Sequence, residues 1–202
     1  MIKMEYLLHL KKDKKLAIIL EEQFHELKYH ENIPLRLIAS IMSQQLNTKV
    51  AAIIYNRFLQ LYDGIEPSAT QILATSYAQL RSIGLSHAKA SYVHNVAHFC
   101  VEHKISDKQL LAMENEEVID LLVQIKGVGR WTVEMLLMFT LGRQDVFPID
   151  DLGIKQAMIK LYKIKEEDKK LLKERLLKIS AKWSPYRTYA CLHLWGWKDG
   201  AG

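Results

Sequence analysis

Two groups of residues in the second half of the chain have the types and spacing that chemistry on a phosphorylated sugar would need. The first group is the heptapeptide Lys126–Thr132, in which Gly127 and Gly129 stand one residue apart between two apolar segments with helical spacing. Glycines placed in this way let the backbone turn tightly and approach an anion, and the first amides of the next helix have no partners within that helix. The heptapeptide therefore predicts a phosphate-binding hairpin.

A pair of carboxylates forms the second group. Asp150 and Asp151 follow Pro148, and Asp151 lies 20 residues after Trp131. An ionised carboxylate stabilises the positive charge that develops on a sugar when the bond to its leaving group breaks. Aspartate is also a favoured N-cap, and a helix is predicted from about Leu152. The two interpretations are compatible, because a helix N-terminus helps to keep a carboxylate ionised.

Helices must position both groups. Nearly every segment has apolar residues at helical spacing, and no segment alternates as a strand requires, so we predict an all-α fold. Most predicted helices begin at a capping residue or a proline and carry an apolar stripe. They span residues 16–27, 34–45, 47–63, 86–99, 115–125 with Asn115 as cap, 131–141, 152–162, 166–180 and 187–197, with short helices after Ser68 and Ser106.

The predicted architecture is one unit over residues 1–202, made of two packed helical lobes with an active-site cleft between them. One lobe covers residues 35–142 and ends in the hairpin motif, and the other combines residues 1–34 with 143–202. The segment from Trp131 to Leu141 is apolar on almost all sides, which is typical of a central helix.

Composition favours a polyanionic partner without identifying one. Lysine and arginine number 28 against 23 acidic residues, which gives a net charge of +5. Cys100 and Cys191 stand far apart outside any paired-ligand spacing, so we expect both thiols to be reduced. No stretch of about 18 apolar residues occurs, and we expect a cytoplasmic protein, nucleoid-associated if it is bacterial.

Five segments, in the same order, resemble the helix-hairpin-helix DNA glycosylases whose hairpin is followed by a Gly/Pro...Asp loop, the HhH-GPD superfamily. The similar branch is 3-methyladenine DNA glycosylase II, and the chain looks like a compact form without an extra N-terminal β domain. The segments span about residues 34–197 and read IASIMSQQLNTKVAAIIYNRF, LRSIGLSHAKASYVHNVA, LVQIKGVGRWTVEMLLMF, DVFPIDDLGIKQ and WSPYRTYACLHLW.

The resemblance implies a base-excision-repair enzyme that flips alkylated purines out of duplex DNA and hydrolyses their N-glycosidic bond. The family's catalytic aspartate falls on Asp151 by register through Asp145 and Ile154. Pro148 stands three positions before Asp151, whereas many relatives place the proline two before, so Asp150 is a second candidate.

Trp131 bears on the reaction type. Bifunctional relatives carry a lysine before the threonine of the hairpin, which attacks the sugar as an amine nucleophile, and here that position is an indole. We therefore expect a monofunctional enzyme that leaves an abasic site. Two distant cysteines cannot supply the iron–sulfur signature of another branch, and His94 with His98 is a poor metal pair. No cofactor or metal is expected, except a monovalent cation on the hairpin carbonyls, as in resembling proteins.

Base recognition is expected to fall to aromatic residues, since an electron-rich ring attracts a cationic base. Trp131 and Trp195 match pocket positions of the family, and Met135, one helical turn after Trp131, supplies an adaptable wall. Core packing is the alternative for both tryptophans.

The resemblance places a wedge at Leu46, which would fill the gap left by the flipped base, with Gln45 in contact with the orphaned base. Alternatively, Leu46 packs on Ala51 as a hydrophobic staple next to the cap Asn47.

Phosphate contacts are expected from the hairpin residues Lys126, Gly127, Gly129, Arg130 and Thr132. The expected partners are duplex DNA with alkylated bases and a downstream abasic-site endonuclease, with no membrane and with a monomeric protein. The alternative function is a non-catalytic helix-hairpin-helix module that binds damaged or bent DNA. A glycosylase/lyase that uses another lysine is the third hypothesis.

Overall fold

Helices make up the regular structure of the chain. The computed structural model describes residues 2–20 and 26–200, and these contain α-helices, two short 3-10 helices at Leu16–Ile19 and Ala181–Trp183, and no strand. The α-helices are α1 (Ile2–Leu10), α2 (Ile33–Ser43), α3 (Thr48–Gln60), α4 (Ala69–Ala74), α5 (Tyr77–Ser82), α6 (His87–Glu102), α7 (Asp107–Ala112), α8 (Asn115–Leu122), α9 (Arg130–Phe139), α10 (Leu152–Tyr162), α11 (Lys169–Ser180) and α12 (Arg187–Gly200). The predicted all-α class is confirmed.

The chain divides into two compact units. The hairpin unit, Tyr29–Leu141, contains α2 to α9, and the aspartate unit combines Met1–Lys28 with Gly142–Gly202. Tyr29 already belongs to the hairpin unit because its hydroxyl donates to Asp107 Oδ2 at 2.7 Å, the same oxygen that accepts from the Asn32 amide at 2.7 Å. The hairpin unit therefore begins at Tyr29, six residues before the predicted lobe boundary at residue 35, because Asp107 holds this segment.

Side-chain caps determine where most helices begin. Asn47 Oδ1 accepts from the Val50 amide at 2.9 Å, and Ser86 Oγ accepts from the Lys89 amide at 3.2 Å, as predicted. The prediction of Asn115 as a cap is wrong, because Asn115 is the first residue of α8 and Glu114 holds the cap position. Glutamate is seldom an N-cap, so the asparagine next to it was the better cue.

The N-terminal region differs from the prediction. A helix over residues 16–27 was predicted, but the 3-10 helix ends at Ile19, Leu20 is extended, and Gln23 and Phe24 lie outside the described residues. α1 was not predicted, because its apolar residues form no stripe along one face.

α9 packs against α2 and α8 inside the hairpin unit. Val133, Leu137 and Met138 are fully buried, whereas Trp131 and Phe139 are 41% and 46% exposed. The predicted central position is therefore correct for the face that packs on α2 and α8, but the helix is not buried on all sides. One side of α9 is open, and it presents Trp131 at the surface of the unit.

The loop that leads to Asp151 is fastened to α12 within the aspartate unit. Arg187 donates from Nε to Asp145 Oδ1 at 2.6 Å and from Nη2 to Asp145 Oδ2 at 2.9 Å. Thr188 Oγ1 accepts from the Val146 amide at 3.0 Å and donates to the Arg143 carbonyl at 2.7 Å. Burial opposes ionisation of Asp145, but the hydrogen bonds from Arg187 and Ser184 lower its pKa below the usual value. The loop is thereby held to the helix that carries Trp195.

Candidate active site

Asp151 stands at the N-terminus of α10, where its Oδ1 accepts two hydrogen bonds. One comes from the Ile154 amide at 2.8 Å and the other from the indole Nε1 of Trp195 at 3.0 Å. Both donors, together with the positive end of the helix dipole, interact favourably with negative charge on this oxygen. The structure therefore joins the predicted catalytic residue to one of the predicted pocket residues.

Gly153 makes this pair of contacts sterically accessible, and sequence reasoning missed it. A Cβ at position 153 would lie 3.2 Å from Asp151 Oδ1 and 3.2 Å from both Cδ1 and Nε1 of Trp195. These distances are shorter than ordinary van der Waals contacts, so glycine lets the indole approach the carboxylate. The available signal was a glycine in the first turn of a predicted helix, where its low helix propensity calls for a packing reason.

Asp150 has a different environment from Asp151. Its side chain is 56% exposed, and Lys155 Nζ and Lys173 Nζ lie 3.5 Å and 3.7 Å from its two oxygens. Surface ion pairs of this kind contribute little to stability, and the two ammonium groups offset the charge of the carboxylate. The geometry therefore favours Asp151 over Asp150 for electrostatic stabilisation of a cation, in agreement with the sequence register.

The two hairpin glycines have different reasons for being glycine. Gly127 has φ +104°, and a Cβ there would lie 2.3 Å from Cγ of the Tyr92 ring, so the fold itself requires glycine. The Lys126 carbonyl accepts from Asn95 Nδ2 at 2.9 Å, which fixes the same turn on α6. Gly129 has φ −95°, and a Cβ there would meet no atom within 4 Å. The space beside Gly129 is open to an approaching ligand.

Arg130 is bound to two carboxylates. Its Nη2 and Nη1 lie 2.7 Å and 3.0 Å from the two oxygens of Glu116, and its Nε lies 3.0 Å from Glu134 Oε1. The hydrogen bonds that Arg130 donates to Glu116, with the charges of both acids, raise the pKa of Arg130 further. The predicted phosphate contact of Arg130 stays a prediction, and these acids would compete with the phosphate for the guanidinium.

Thr132 also points its side chain inward. It is 3% exposed, and its Oγ1 accepts from Gln44 Nε2 at 3.3 Å. A phosphate contact from Thr132, which stays a prediction, would therefore come from its backbone amide. Gln44 in turn connects the hairpin helix α9 to the segment that contains the predicted wedge.

Trp131 and the predicted wedge residues share one pocket in the hairpin unit. The pocket has a volume of about 440 Å³. Its lining combines three predicted site residues with three polar neighbours, and consists of Ser40, Ser43, Gln44, Gln45, Leu46 and Trp131. Met135 is half-buried one turn further along α9 and is not among the lining residues. The structure thus brings Trp131, Gln45 and Leu46 together, and Met135 less directly.

Lys89 holds the turn that carries Gln45 and Leu46, and sequence reasoning missed this residue. Its Nζ donates to the Met42 carbonyl at 2.9 Å and to the Gln44 carbonyl at 2.6 Å, at the end of α2 where carbonyls lack helical partners. Burial lowers the pKa of Lys89 below the usual lysine value. Gln45 has φ +59°, so the turn is one that a non-glycine residue adopts only when its neighbours hold it there.

The described residues contain no cluster of side chains suited to binding a metal ion. No group of three or more His, Cys, Asp or Glu side chains in residues 2–20 and 26–200 could hold a metal ion. His94 Nε2 contacts the Thr75 carbonyl at 2.9 Å, and His98 pairs with Glu102 at 3.3 Å.

Across residues 2–20 and 26–200, no helix combines the length and the apolar character that crossing a bilayer requires.

Comparisons with known proteins show the family to which the chain belongs. Residues 38–182 match the HhH-GPD superfamily of base excision DNA repair proteins, and the chain belongs to that family. DNA-3-methyladenine glycosylase 1 of Schizosaccharomyces pombe is 38% identical over 161 residues, which cover 79% of this chain and 69% of the yeast protein. The putative DNA-3-methyladenine glycosylase of Bacillus subtilis is 33% identical over 165 residues, and the match spans 56% of that protein.

The fold agrees with a solved structure as well. The structure of Schizosaccharomyces pombe 3-methyladenine DNA glycosylase in complex with abasic DNA superposes with a TM-score of 0.81 at 31% identity. The superposition covers 96% of this chain and 97% of the yeast chain. The resemblance inferred from the five sequence segments is confirmed.

Proposed function

We propose that this chain is a monofunctional DNA glycosylase that hydrolyses the N-glycosidic bond of alkylated purines in duplex DNA, 3-methyladenine and 7-methylguanine among them. The observation that carries the proposal is the Asp151 carboxylate at the N-terminus of α10, bound to the Trp195 indole at 3.0 Å, in a chain of the HhH-GPD superfamily. The names of the relatives, DNA-3-methyladenine glycosylases of yeast and Bacillus, support the substrate class.

The chemistry needs little more than a placed negative charge. An alkylated purine is cationic and leaves readily as a neutral base, taking the electron pair of the glycosidic bond. Positive charge then develops at C1′ of the sugar, where Asp151 stabilises it and orients the water that attacks. Loss of a preorganised electrostatic partner of this kind costs about 100-fold to 1000-fold in rate. After addition, the protonated hydroxyl at C1′ loses its proton to solvent water, and the product is an abasic site.

The indole at position 131 is the reason to propose hydrolysis without strand cleavage. A lyase forms a Schiff base between an amine and C1′, and the side chain at position 131 has no amine. Trp131 is 41% exposed, so its ring is accessible to a base. We assign base recognition to Trp131 and Met135 of the hairpin unit and to Trp195 of the aspartate unit. Cation–π attraction of about 0.5 to 2 kcal/mol favours an alkylated base over a neutral one.

Extrusion of the base is assigned to the turn after α2. Leu46 fills the gap in the stack and Gln45 contacts the orphaned base, which is supported by the pocket that both share with Trp131. The hairpin holds the phosphate through the backbone amides at Gly127, Gly129 and Thr132, supported by the open space beside Gly129. Lys126 adds positive charge beside them, and Arg130 does so where a phosphate takes the place of Glu116 on its guanidinium.

The remaining parts of the proposal concern partners. The enzyme works without a cofactor, with a monovalent cation on the hairpin carbonyls as the one candidate ion. It acts as a cytoplasmic monomer on duplex DNA and passes the abasic site to an endonuclease. Salt-dependent binding to duplex DNA is expected, because the contacts to phosphates release counterions.

One experiment separates the three hypotheses for function. The purified protein is incubated with methylated duplex DNA, the released bases are identified by chromatography, and the DNA is then treated with hot alkali. Free 3-methyladenine together with alkali-dependent nicks supports the proposal. Binding without a released base supports a non-catalytic module, and a covalent adduct trapped by borohydride supports a lyase.

A further inference from the structure

A basic groove in the aspartate unit lies outside the residues assigned to catalysis. The groove has a volume of about 670 Å³ and is formed by the segment after α1, the end of α10, α11 and the 3-10 helix that follows α11. Its cationic lining residues are Lys12, Lys14, Lys15, Arg175, Lys178 and Lys182.

The groove holds the excess charge of the whole chain. Six cationic side chains and one carboxylate, Asp13, line it, a formal balance of +5, and the net charge of the entire chain is also +5. Acidic and basic residues therefore balance elsewhere. Like charges gathered within about a Debye length of 8 to 10 Å repel one another, and a bound anion relieves that repulsion.

Asp13 is occupied in holding the floor of the groove. Its Oδ2 accepts from the Tyr162 hydroxyl at 2.6 Å and from Trp183 Nε1 at 3.1 Å, and its Oδ1 accepts from the Lys15 and Leu16 amides at 3.1 Å and 3.2 Å. Burial opposes ionisation, yet these hydrogen bonds lower the pKa of Asp13 below its ordinary value. The carboxylate fixes the loop and gives the surrounding lysines no direct ion pair.

The cations of the groove contrast with those on the next face of α11. Lys173, on that face, lies 3.7 Å from Asp150. By contrast, the ion pairs formed among residues 2–20 and 26–200 include none with Arg175, Lys178 or Lys182. These three side chains are exposed and bring their charges to the groove without an acidic partner.

The shape of the groove favours a phosphate backbone over a nucleotide. Trp183 is 0% exposed in the floor, and Lys15 Nζ lies over the Tyr162 ring at 5.4 Å from its centroid, so neither ring offers a face on which a base could stack. The groove carries six cations on three segments of the chain, and within the described residues only Lys15 among them already donates to a backbone carbonyl, that of Tyr162 at 3.0 Å. A run of phosphates is the ligand that uses them together.

We infer that the basic groove is a second DNA-binding site, which holds the phosphodiester backbone at phosphates other than those at the hairpin. The inference rests on the proposed function only in taking DNA as the polyanion. Contacts of this kind ignore base sequence and damage. The groove therefore raises affinity for any duplex and leaves the rate of base release from a bound substrate unchanged.

The test compares two variants with the same change in charge. The groove variant is Arg175→Gln/Lys178→Gln/Lys182→Gln, and the control variant is Lys108→Gln/Lys165→Gln/Lys198→Gln, at exposed positions outside the groove. Affinity for an undamaged fluorescent duplex is measured by anisotropy over a series of salt concentrations. We expect the slope of log K against log salt to fall by about 0.9 for each phosphate contact that is lost in the groove variant. The control variant should keep the slope of the unmodified protein.

The outcomes are separable. Equal slopes for the groove variant and the unmodified protein would overturn the inference, and so would an equal loss in both variants, which would show a general effect of net charge. Inorganic phosphate that displaces DNA from the unmodified protein more than chloride at equal ionic strength, but not from the groove variant, shows that phosphate and DNA share the groove and supports the inference. Phosphate that binds the groove without displacing DNA identifies a free-phosphate site and overturns it. Excision at saturating DNA is measured separately, so a protein that releases no base contradicts the proposed function and leaves the groove result standing.

Discussion

Replacing Asp151 with asparagine separates the electrostatic role of this side chain from its structural role. Asparagine keeps an oxygen that can accept from the Ile154 amide and from Trp195 Nε1, the two donors at 2.8 Å and 3.0 Å. Asparagine and aspartate are also about equally good N-caps. The substitution therefore removes the negative charge and leaves the geometry of the α10 N-terminus in place.

The expected magnitudes differ for activity and stability. Removing the charge that faces the cationic sugar should slow excision by about 100-fold to 1000-fold, or ~3 to 4 kcal/mol in the barrier. Loss of the interaction with the helix dipole costs only about 0.3 to 1 kcal/mol of folding free energy. In a chain of this length, 1 kcal/mol corresponds to a shift of roughly 2 to 4 °C in Tm. Asp151→Ala loses the cap as well, at about 0.5 to 2 kcal/mol, and should melt at a lower temperature than Asp151→Asn.

The assay is single-turnover release of 3-methyladenine with enzyme in excess, together with binding to an abasic-site duplex and thermal melting. Asp150→Asn is the matched control, because among residues 2–20 and 26–200 the exposed Asp150 side chain forms ion pairs only with Lys155 and Lys173, at 3.5 Å and 3.7 Å. We expect this control to stay within about twofold of the normal rate, since such pairs contribute about 0 to 1 kcal/mol. Normal turnover by Asp151→Asn, or a large loss in Asp150→Asn alone, would refute the reasoning.

Three further predictions concern positioning and pH. Gly153→Ala places a Cβ 3.2 Å from the Trp195 indole, so we expect excision to slow by about 10-fold. The Tm should change little, because alanine gains up to about 1 kcal/mol of helix propensity that offsets the crowding. An unchanged excision rate would count against the indole contact. Lys89→Met leaves two carbonyls of the wedge turn without their donor. Base release from duplex DNA should fall by about 10-fold and release from single strands by less, with partial recovery in Lys89→Arg. Equal losses on both substrates would argue against a role in extrusion. The pKa of Asp145 is lowered in the folded state, so its pair with Arg187 stabilises the protein above the unfolded pKa of about 3.9. This contribution is lost as pH falls through the folded pKa. Between pH 5 and pH 2, the Tm of Asp145→Asn should therefore fall less steeply than that of the unmodified protein, and parallel curves would contradict this.

Local signals in the sequence predicted much of the fold. Asn47, Ser68 and Ser86 cap helices where short patterns of polar and apolar residues placed them, because caps depend on residues only three positions apart. α1 escaped prediction because its burial comes from tertiary packing and not from an apolar stripe. Glu114 escaped prediction for a different reason: Glu117 Oε2 accepts from its amide at 2.7 Å and completes the cap, although glutamate is a poor cap on its own.

The candidate site was predictable only in part. The register of the loop favours Asp151 over Asp150, but the contacts that distinguish the two carboxylates could not be predicted. Trp195, which donates to Asp151, lies 44 residues later in the chain, and Lys155, which pairs with Asp150, lies in the helix that follows. Lys89 reaches carbonyls 47 and 45 residues earlier in the chain, and no sequence pattern marks a lysine that donates to backbone oxygens. Similarly, nothing near Arg130 indicated that Glu116, 14 residues before it, would bind its guanidinium.

The hairpin glycines, alike in the printed sequence, should tolerate change under different conditions. At position 127 the Tyr92 ring fills the space that any side chain would need, so a substitution there harms the protein whether or not DNA is present. At position 129 the protein leaves that space empty, so a larger residue should be accepted in cells that meet no alkylating agent and rejected only when repair is required for survival. A mutational screen run with and without methylating treatment would thus assign one glycine to the protein's own architecture and the other to its encounter with DNA.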